Sequence, residues 1–414
     1  MGNMRINKES GFIVGVAYNL HFGFDFGNQL RIQTDQGVRV APPGLDDPKR
    51  AATVMDDFRK LRESGVNAVT IKLFTDGRTG IDFDPKDPGR ALNVQKASVF
   101  KGLDNVMKIA AANGIAVQIV LFDHTFAGEA AGLLDPKDTG KQTSPEKKQG
   151  HLQALANPDN RELLLKNVIE PVLKHLSGKT NLLAVELVNE PESIIEGMHG
   201  KKGASIPKAQ TQSFKEYMRT VRDLVHDAGA QFTVGCLGIG YAKEWLDVID
   251  PHRDFISVHY YENRHNLDPK YGSLYGADSE LMKLHKAGVT VVFGEYAGSG
   301  YGKVGTEAFL KDAHAHGIVQ GALGAWSMYD GNGKPGAANF LVPLNDLRHF
   351  RLLNPFTWQR GASLPSDGLN RAGKQVPAHG VPSHEKPEPG KEKKSEIKGK
   401  AHKPLTKGRK DFGL

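Results

Sequence analysis

The sequence predicts a (β/α)8 barrel, and three observations carry the prediction. Stretches of helical period alternate with short apolar runs, a glycine stands at most junctions from helix to run, and the runs are continuously apolar. Continuous apolar runs suit parallel strands covered on both faces. A glycine after a helical stretch supplies the left-handed residue on which helices commonly end. Eight strands and seven well-marked helices between Gly11 and Leu353 make a barrel with long loops. A doubly wound open sheet usually has a Gly-rich phosphate turn after its first strand, and none follows Tyr18.

Gly11 to Tyr18 is the first strand, and Asn19 to Asp47 a long Gly-rich connection. Asp47-Pro48 reads as an N-cap followed by proline at the first helical position. The helix runs to about Ser64 with Val54, Phe58 and Leu61 on one face, stops at Gly65, and hands over to the strand Val66 to Phe74. The unit then recurs. Val94 to Asn113, Gly114 and Ile115 to Phe122 form one copy; Asn160 to Ser177, Gly178 and Leu182 to Val188 the next; Ser213 to Ala228, Gly229 and Phe232 to Cys236 another. Tyr241 to Ile249 leads to Phe255 to His259, and Ser279 to Ala287 with Gly288 leads to Val289 to Gly294. Thr306 to His316 and Gly317 lead to the last strand, Ile318 to Trp326.

The domain assignment is residues 1–364 for the barrel and 365–414 for a disordered tail. Pro365 to Leu414 mixes Pro, Gly, Lys and Glu and cannot bury enough apolar surface to order itself. It carries twelve Lys/Arg against six Asp/Glu, so nearly all of the net charge of +7 belongs to the tail. A near-neutral body argues against nucleic acid as the main partner. The single cysteine, Cys236, excludes an intramolecular disulfide and a cysteine-built zinc site, and its apolar setting marks it as core. No run approaches the length of a membrane span. Met1 to Ser10 lacks an export leader pattern, which leaves the compartment unknown: secreted or periplasmic if a leader was removed, otherwise cytoplasmic. A monomer is the expected state.

In a barrel the residues that act lie at the C-terminal ends of the strands. Those ends read Tyr18-Asn19, Lys72, Asp123-His124, Asn189-Glu190, Cys236, His259-Tyr260-Tyr261, Glu295-Tyr296 and Trp326. Pro191 cannot join a sheet ladder, so the fourth strand must stop beside Glu190. A carboxyl at the mouth of an apolar strand is expected to hold its proton nearer neutrality. Glu295 ends the seventh strand, 105 positions on. Two carboxylates brought across one gap are what cleavage of a glycosidic bond needs, while aromatic, Asn and His side chains suit sugar faces and hydroxyls.

Glu-Leu-Val-Asn-Glu-Pro, Glu186 to Pro191, resembles the acid/base signature of the retaining glycoside hydrolases of clan A, most closely family 5, the cellulase and mannanase family. The resemblance implies roles for single residues. Glu190 would be the acid/base and Glu295, in Phe-Gly-Glu-Tyr, the nucleophile. Asn189 would bind the sugar 2-hydroxyl, and His124 would lie near the reactive subsite. His259 and Tyr261 would stand beside the nucleophile, and Trp326 would stack under the sugar. The implied reaction is a two-carboxylate double displacement on a β-linked polysaccharide or oligosaccharide, of endo-β-1,4-glucanase or mannanase type, with no metal or organic cofactor.

The sequence departs from the family at one point. After Gly65-Val66-Asn67-Ala68-Val69, where the family has an arginine that bonds the nucleophile, stands Thr70. Lys72, two residues on and therefore on the same side of the strand, is expected to replace the missing charge. Of the other carboxyls, Glu192 reads as a loop residue and Glu186 as a structural group inside the barrel. The long loops hold Phe22, Phe24, Phe26, Phe126, Tyr271, Tyr275, Tyr301 and Tyr329, each either a sugar platform or a loop anchor. Lys137, Lys141, Lys147, Lys148, Lys201 and Lys202 make two loops basic. Alternatives to the β-glucanase or mannanase are a non-catalytic carbohydrate-binding barrel and a clan A hydrolase acting on an anionic exopolysaccharide.

Overall fold

A computed structural model describes residues 6, 11–18, 31–34, 37–40, 45, 47–74, 80–84, 86–127, 153–199, 206–260, 274–296 and 306–324. The chain divides into two units, Met1–Gln359 and Arg360–Leu414, and every described residue lies in the first. Tyr261, Trp326, the six loop lysines, the tail from Pro365, and Phe22, Phe24, Phe26, Tyr271, Tyr301 and Tyr329 lie outside the described residues.

The strands are β1 (Ile13–Ala17), β2 (Arg31–Thr34), β3 (Gly37–Val40), β4 (Ala68–Lys72), β5 (Ile81–Asp84), β6 (Asp87–Val94), β7 (Ala116–Asp123), β8 (Leu182–Asn189), β9 (Gln231–Cys236), β10 (Phe255–Tyr260), β11 (Thr290–Tyr296) and β12 (Gly321–Gly324). Eight of them close a barrel in the order β1-β12-β11-β10-β9-β8-β7-β4. Every barrel pair is parallel, as the continuous apolar runs require. β2-β3 is an antiparallel hairpin inside the long Gly-rich connection, and β5-β6 is a second one in a stretch to which the sequence assigned no element.

The helices are α1 (Pro48–Glu63), α2 (Lys96–Ala112), α3 (Pro158–Leu164), α4 (Glu170–Leu176), α5 (Thr211–Asp227), α6 (Glu280–Lys286) and α7 (Thr306–His316). Asp47 caps α1 as expected: its side chain accepts the backbone N–H groups of Lys49 and Arg50 at 2.9 and 3.0 Å. Val54, Phe58 and Leu61 are its buried face. All six glycines that punctuate the repeat, Gly65, Gly114, Gly178, Gly229, Gly288 and Gly317, take φ between 62° and 100°. Among the described residues no helix is long and apolar enough to cross a membrane.

Three elements differ from expectation. The helix expected over 160–177 has a π-helical turn, Leu165–Ile169, between α3 and α4. Pro171 has no N–H with which to continue the regular ladder there. The helix expected over 241–249 is a 3-10 turn, Ile239–Trp245, in the short span that begins Gly238-Ile239-Gly240. β6 occupies the start of the helix expected from Val94, so α2 begins at Lys96.

Candidate active site

The barrel interior just below its C-terminal rim is polar. Gln118, Glu186, Thr233 and Ser257 are all buried, each 2% exposed or less. Glu186 is the structural carboxyl the sequence suggested. Gln118 Nε2 donates to its Oε2 and the Gly235 N–H to its Oε1, both at 3.1 Å. Burial pushes this carboxyl up to about 8, against smaller downward pulls from His259 and Lys72. Glycines make room for such groups. A Cβ on Gly235 would stand 2.1 Å from Glu186 Oε1, and one on Gly294 would stand 1.7 Å from Ser257 Oγ.

The two candidate carboxylates rise above this layer. β8 ends at Asn189, and Glu190 turns the chain into the 3-10 turn Pro191–Ile194. Glu190 is the one non-glycine with positive φ among the described residues, at φ 52° and ψ 57°. That conformation costs roughly 1–2 kcal/mol and has to be held by its surroundings. Its N–H donates to the Gly235 carbonyl at 2.8 Å, and its carbonyl accepts the Ser193 N–H at 3.0 Å. On the other side of the barrel, the β10-β11 register slips between Val258 and His259, which brings His259 opposite Glu295.

His259 joins the two carboxylates. Its Nδ1 lies 2.7 Å from Glu190 Oε1 and 3.6 Å from Glu295 Oε2. One donor atom from each of Glu190, His259 and Glu295 falls within 4.8 Å of the others. Three such donors are the group that could hold a cation among the described residues, but His259 Nδ1 is already hydrogen-bonded to Glu190. Burial alone would lower the His259 imidazole; Glu295 and the bond to Glu190 overcome it and raise the group to about 9. The side chains of Glu190 and Glu295 remain 12% and 15% exposed.

Lys72 arrives from β4 as the sequence suggested. Its Nζ lies 2.8 Å from Asp123 Oδ2 and 3.6 Å from Glu295 Oε1. Burial opposes its charge, but Asp123 and Glu295 outweigh that and hold the ammonium above the ordinary lysine range. Thr70, on the same strand, is buried with an unpartnered hydroxyl. Asn189 Nδ2 donates to Asp123 Oδ2 at 3.2 Å. His124 Nδ1 lies 3.1 Å from Asp123 Oδ1 and 3.4 Å from Glu190 Oε2, aligned for a hydrogen bond with neither.

Lys72, His124, Asn189, Glu190, His259 and Glu295 therefore meet at one end of the barrel. Residues that sequence reasoning passed over support them. Asp123 was visible only as half of a strand-end pair with His124. Glu192, in the turn after β8, is fully buried. Trp245 Nε1 donates to its Oε1, the Leu237 N–H donates to its Oε2 at 3.1 Å, and burial raises it to about 7. Two candidate sugar platforms are loop anchors. Phe126 is buried against Phe122, ring centroids 4.5 Å apart, and Tyr275 stacks on His316 at 4.0 Å. Cys236 is core, and burial pushes its thiol well above the ordinary value.

Comparison with known proteins agrees with this architecture. Residues 42–328 match the family model described as cellulase, glycosyl hydrolase family 5. No curated protein sequence matches the chain. Among solved structures, the β-1,4-D-mannanase of Cryptopygus antarcticus is similar at 18% identity with a TM-score of 0.55, over 82% of this chain and 90% of that one. The endo-1,4-β-mannanase of Eisenia fetida is similar at 20% identity and a TM-score of 0.57, over 86% and 95%. The β-mannanase of the blue mussel Mytilus edulis gives 14% and 0.57, over 84% and 94%. At these identities the likeness to the solved structures is one of fold. The family model spans more than half of the chain, and the chain belongs to glycosyl hydrolase family 5, a glycosidase family.

Proposed function

We propose that the protein is a retaining glycoside hydrolase that cleaves a β-linked polysaccharide or oligosaccharide, of endo-β-1,4-glucanase or mannanase type. The observation that carries this is the pair Glu190 and Glu295, at the ends of β8 and β11, with an oxygen of each inside one 4.8 Å cluster. Retaining pairs stand roughly 5–5.5 Å apart, whereas inverting pairs leave about 6.5–9.5 Å for a water. Glu295 attacks the anomeric carbon while Glu190 protonates the departing glycosidic oxygen, and a glycosyl ester of Glu295 forms. Glu190 shares that proton with His259 across their 2.7 Å contact, so the pair is one proton short until the second step restores it. Glu190 then takes a proton from water, the resulting hydroxide equivalent attacks the anomeric carbon, and Glu295 is released as carboxylate. Asn189 and His124 line the same gap and offer hydrogen bonds to sugar hydroxyls.

The test is a panel of β-1,4-linked glucan and mannan oligosaccharides, with product anomers followed by NMR. β-Mannan belongs in the panel because the structural neighbours named above are mannanases, and glucan because the family model is described as cellulase. Retained anomeric configuration is expected, with hydrolysis abolished in Glu190→Gln and Glu295→Gln. Inverted product, or activity that survives both substitutions, would overturn the proposal.

A further inference from the structure

The double displacement moves one negative charge. Glu295 starts as an anion and becomes a neutral ester, while Glu190 loses a proton and becomes the anion. Lys72 stands where that change is felt, 3.6 Å from Glu295, on a side chain 15% exposed. A buried ammonium that loses its counter-ion is costly, and for a lysine the problem is sharp. Arginine fixes itself with a planar fork, whereas lysine is a point charge on a flexible stem and has to be positioned by something else.

Asp123 is built to do that positioning. It is the last residue of β7, 3% exposed, and sits in register with Asn189 on β8. Its Oδ2 takes Lys72 Nζ at 2.8 Å and Asn189 Nδ2 at 3.2 Å, while its Oδ1 lies 3.1 Å from His124 Nδ1. One buried carboxylate thus touches site residues on β4, on β8 and in the turn that follows its own strand. The two Lys72 distances set the order: the ammonium is hydrogen-bonded to Asp123 and only near Glu295. Glu295 therefore receives the field of the Lys72 ammonium without a hydrogen bond from it.

We propose that Asp123 is a positioning residue that keeps Lys72 and Asn189 in place through both half-reactions, holding the Lys72 charge paired while Glu295 is esterified. This rests on the double-displacement reading for its catalytic sense, and on the side-chain geometry alone for the pairing.

Glu295→Gln is a neutral stand-in for the esterified nucleophile, so an unfolding cycle isolates the pairing. Urea midpoints would be measured for the unaltered protein, Asp123→Asn, Glu295→Gln and the double variant. Asp123→Asn is expected to lower the midpoint more in the Glu295→Gln background, where Lys72 keeps neither of these two carboxylates. Additive effects would overturn the proposal. Should the double variant fail to fold, adding Lys72→Met removes the stranded cation and is expected to restore folding; persistent failure would also overturn it. In the active protein, Asp123→Asn is expected to lower kcat with KM little changed, and a fall confined to KM would count against positioning. The cycle reads the pairing with no substrate present, whereas hydrolysis by the unaltered protein reads the function, so the two proposals can fail separately.

Discussion

Glu186 Oε1 accepts the backbone N–H of Gly235 at 3.1 Å, in space that any side chain on residue 235 would fill. The same glycine's carbonyl accepts the N–H of left-handed Glu190 at 2.8 Å. One position on β9 thus serves both the polar barrel interior and the backbone of the candidate acid. Gly235→Ala would set a Cβ 2.1 Å from Glu186 Oε1 and force the carboxyl off Gln118. The expected result is a loss of about 1–3 kcal/mol in urea unfolding together with a fall in hydrolysis. Combining it with Glu186→Ser should recover part of the stability, and an alanine variant as stable as the unaltered protein would show that the two side chains do not compete.

The same carboxyl makes stability depend on pH. Burial raises Glu186 from an ordinary 4.5 to about 8, so between those values the folded state binds more protons than the unfolded one. Its favourable contribution is full below about pH 4.5 and is lost as pH rises through about 8. Glu192, raised to about 7, acts with the same sign over the lower part of that window. Glu186→Gln should therefore gain on the unaltered protein as pH rises from 4.5 to 8.5, by a few kcal/mol at most. Unfolding free energies across that range would check it, and parallel curves for the two proteins would refute it.

Glu192 and Trp245 carry a third expectation. Two residues beyond Glu190, Glu192 accepts from Trp245 Nε1 and from the Leu237 N–H, tying the turn after β8 to the segment after β9. Trp245→Phe keeps most of the ring's packing but leaves a buried carboxylate short of one donor. A stability cost of about 1–3 kcal/mol is expected. The turn that holds Glu190 left-handed also loosens, so kcat should fall further than it does for a comparably destabilising core change such as Val225→Ala on α5. Equal effects on kcat would leave Trp245 as packing only.

What the sequence disclosed and what it withheld divide along a physical line. Helix-ending glycines, the Asp47-Pro48 cap and unbroken apolar strands are local signals, and each appears where expected. Strand ends are local as well, because Pro191 forbids continued pairing, so the shared location of Asn189, Glu190, His259, Glu295 and Lys72 followed from the barrel. The polar pairs beneath and between them did not. Lys72 with Asp123, Gln118 with Glu186 and Glu192 with Trp245 join residues 51, 68 and 53 positions apart. Which side chain meets which depends on stagger between strands and on register slips such as the one at His259. Neither leaves a mark in composition or period. The hairpin β2-β3 escaped for another reason: a Gly-rich connection looks the same whether or not it pairs. The left-handed conformation of Glu190 was hidden as well, since a proline after a residue restricts it without selecting positive φ.

His259 gives the last expectation. Its imidazole is raised from an ordinary 6.5 to about 9, because Glu295 and Glu190 outweigh the burial that would lower it. A group raised in this way stabilises the fold fully below about pH 6.5 and loses that contribution as pH climbs through about 9. In His259→Asn that dependence disappears, so the stability lost on substitution should be largest near pH 6 and shrink towards pH 9.5, with a ceiling of a few kcal/mol. Catalysis should respond in the same range. His259 keeps a proton at the 2.7 Å contact with Glu190 until about pH 9, and without it the alkaline limb of the rate profile should move to lower pH. Rates between pH 5 and 10 for both proteins decide the point: an unmoved alkaline limb would mean that the proton reaching the leaving oxygen is not held by this histidine.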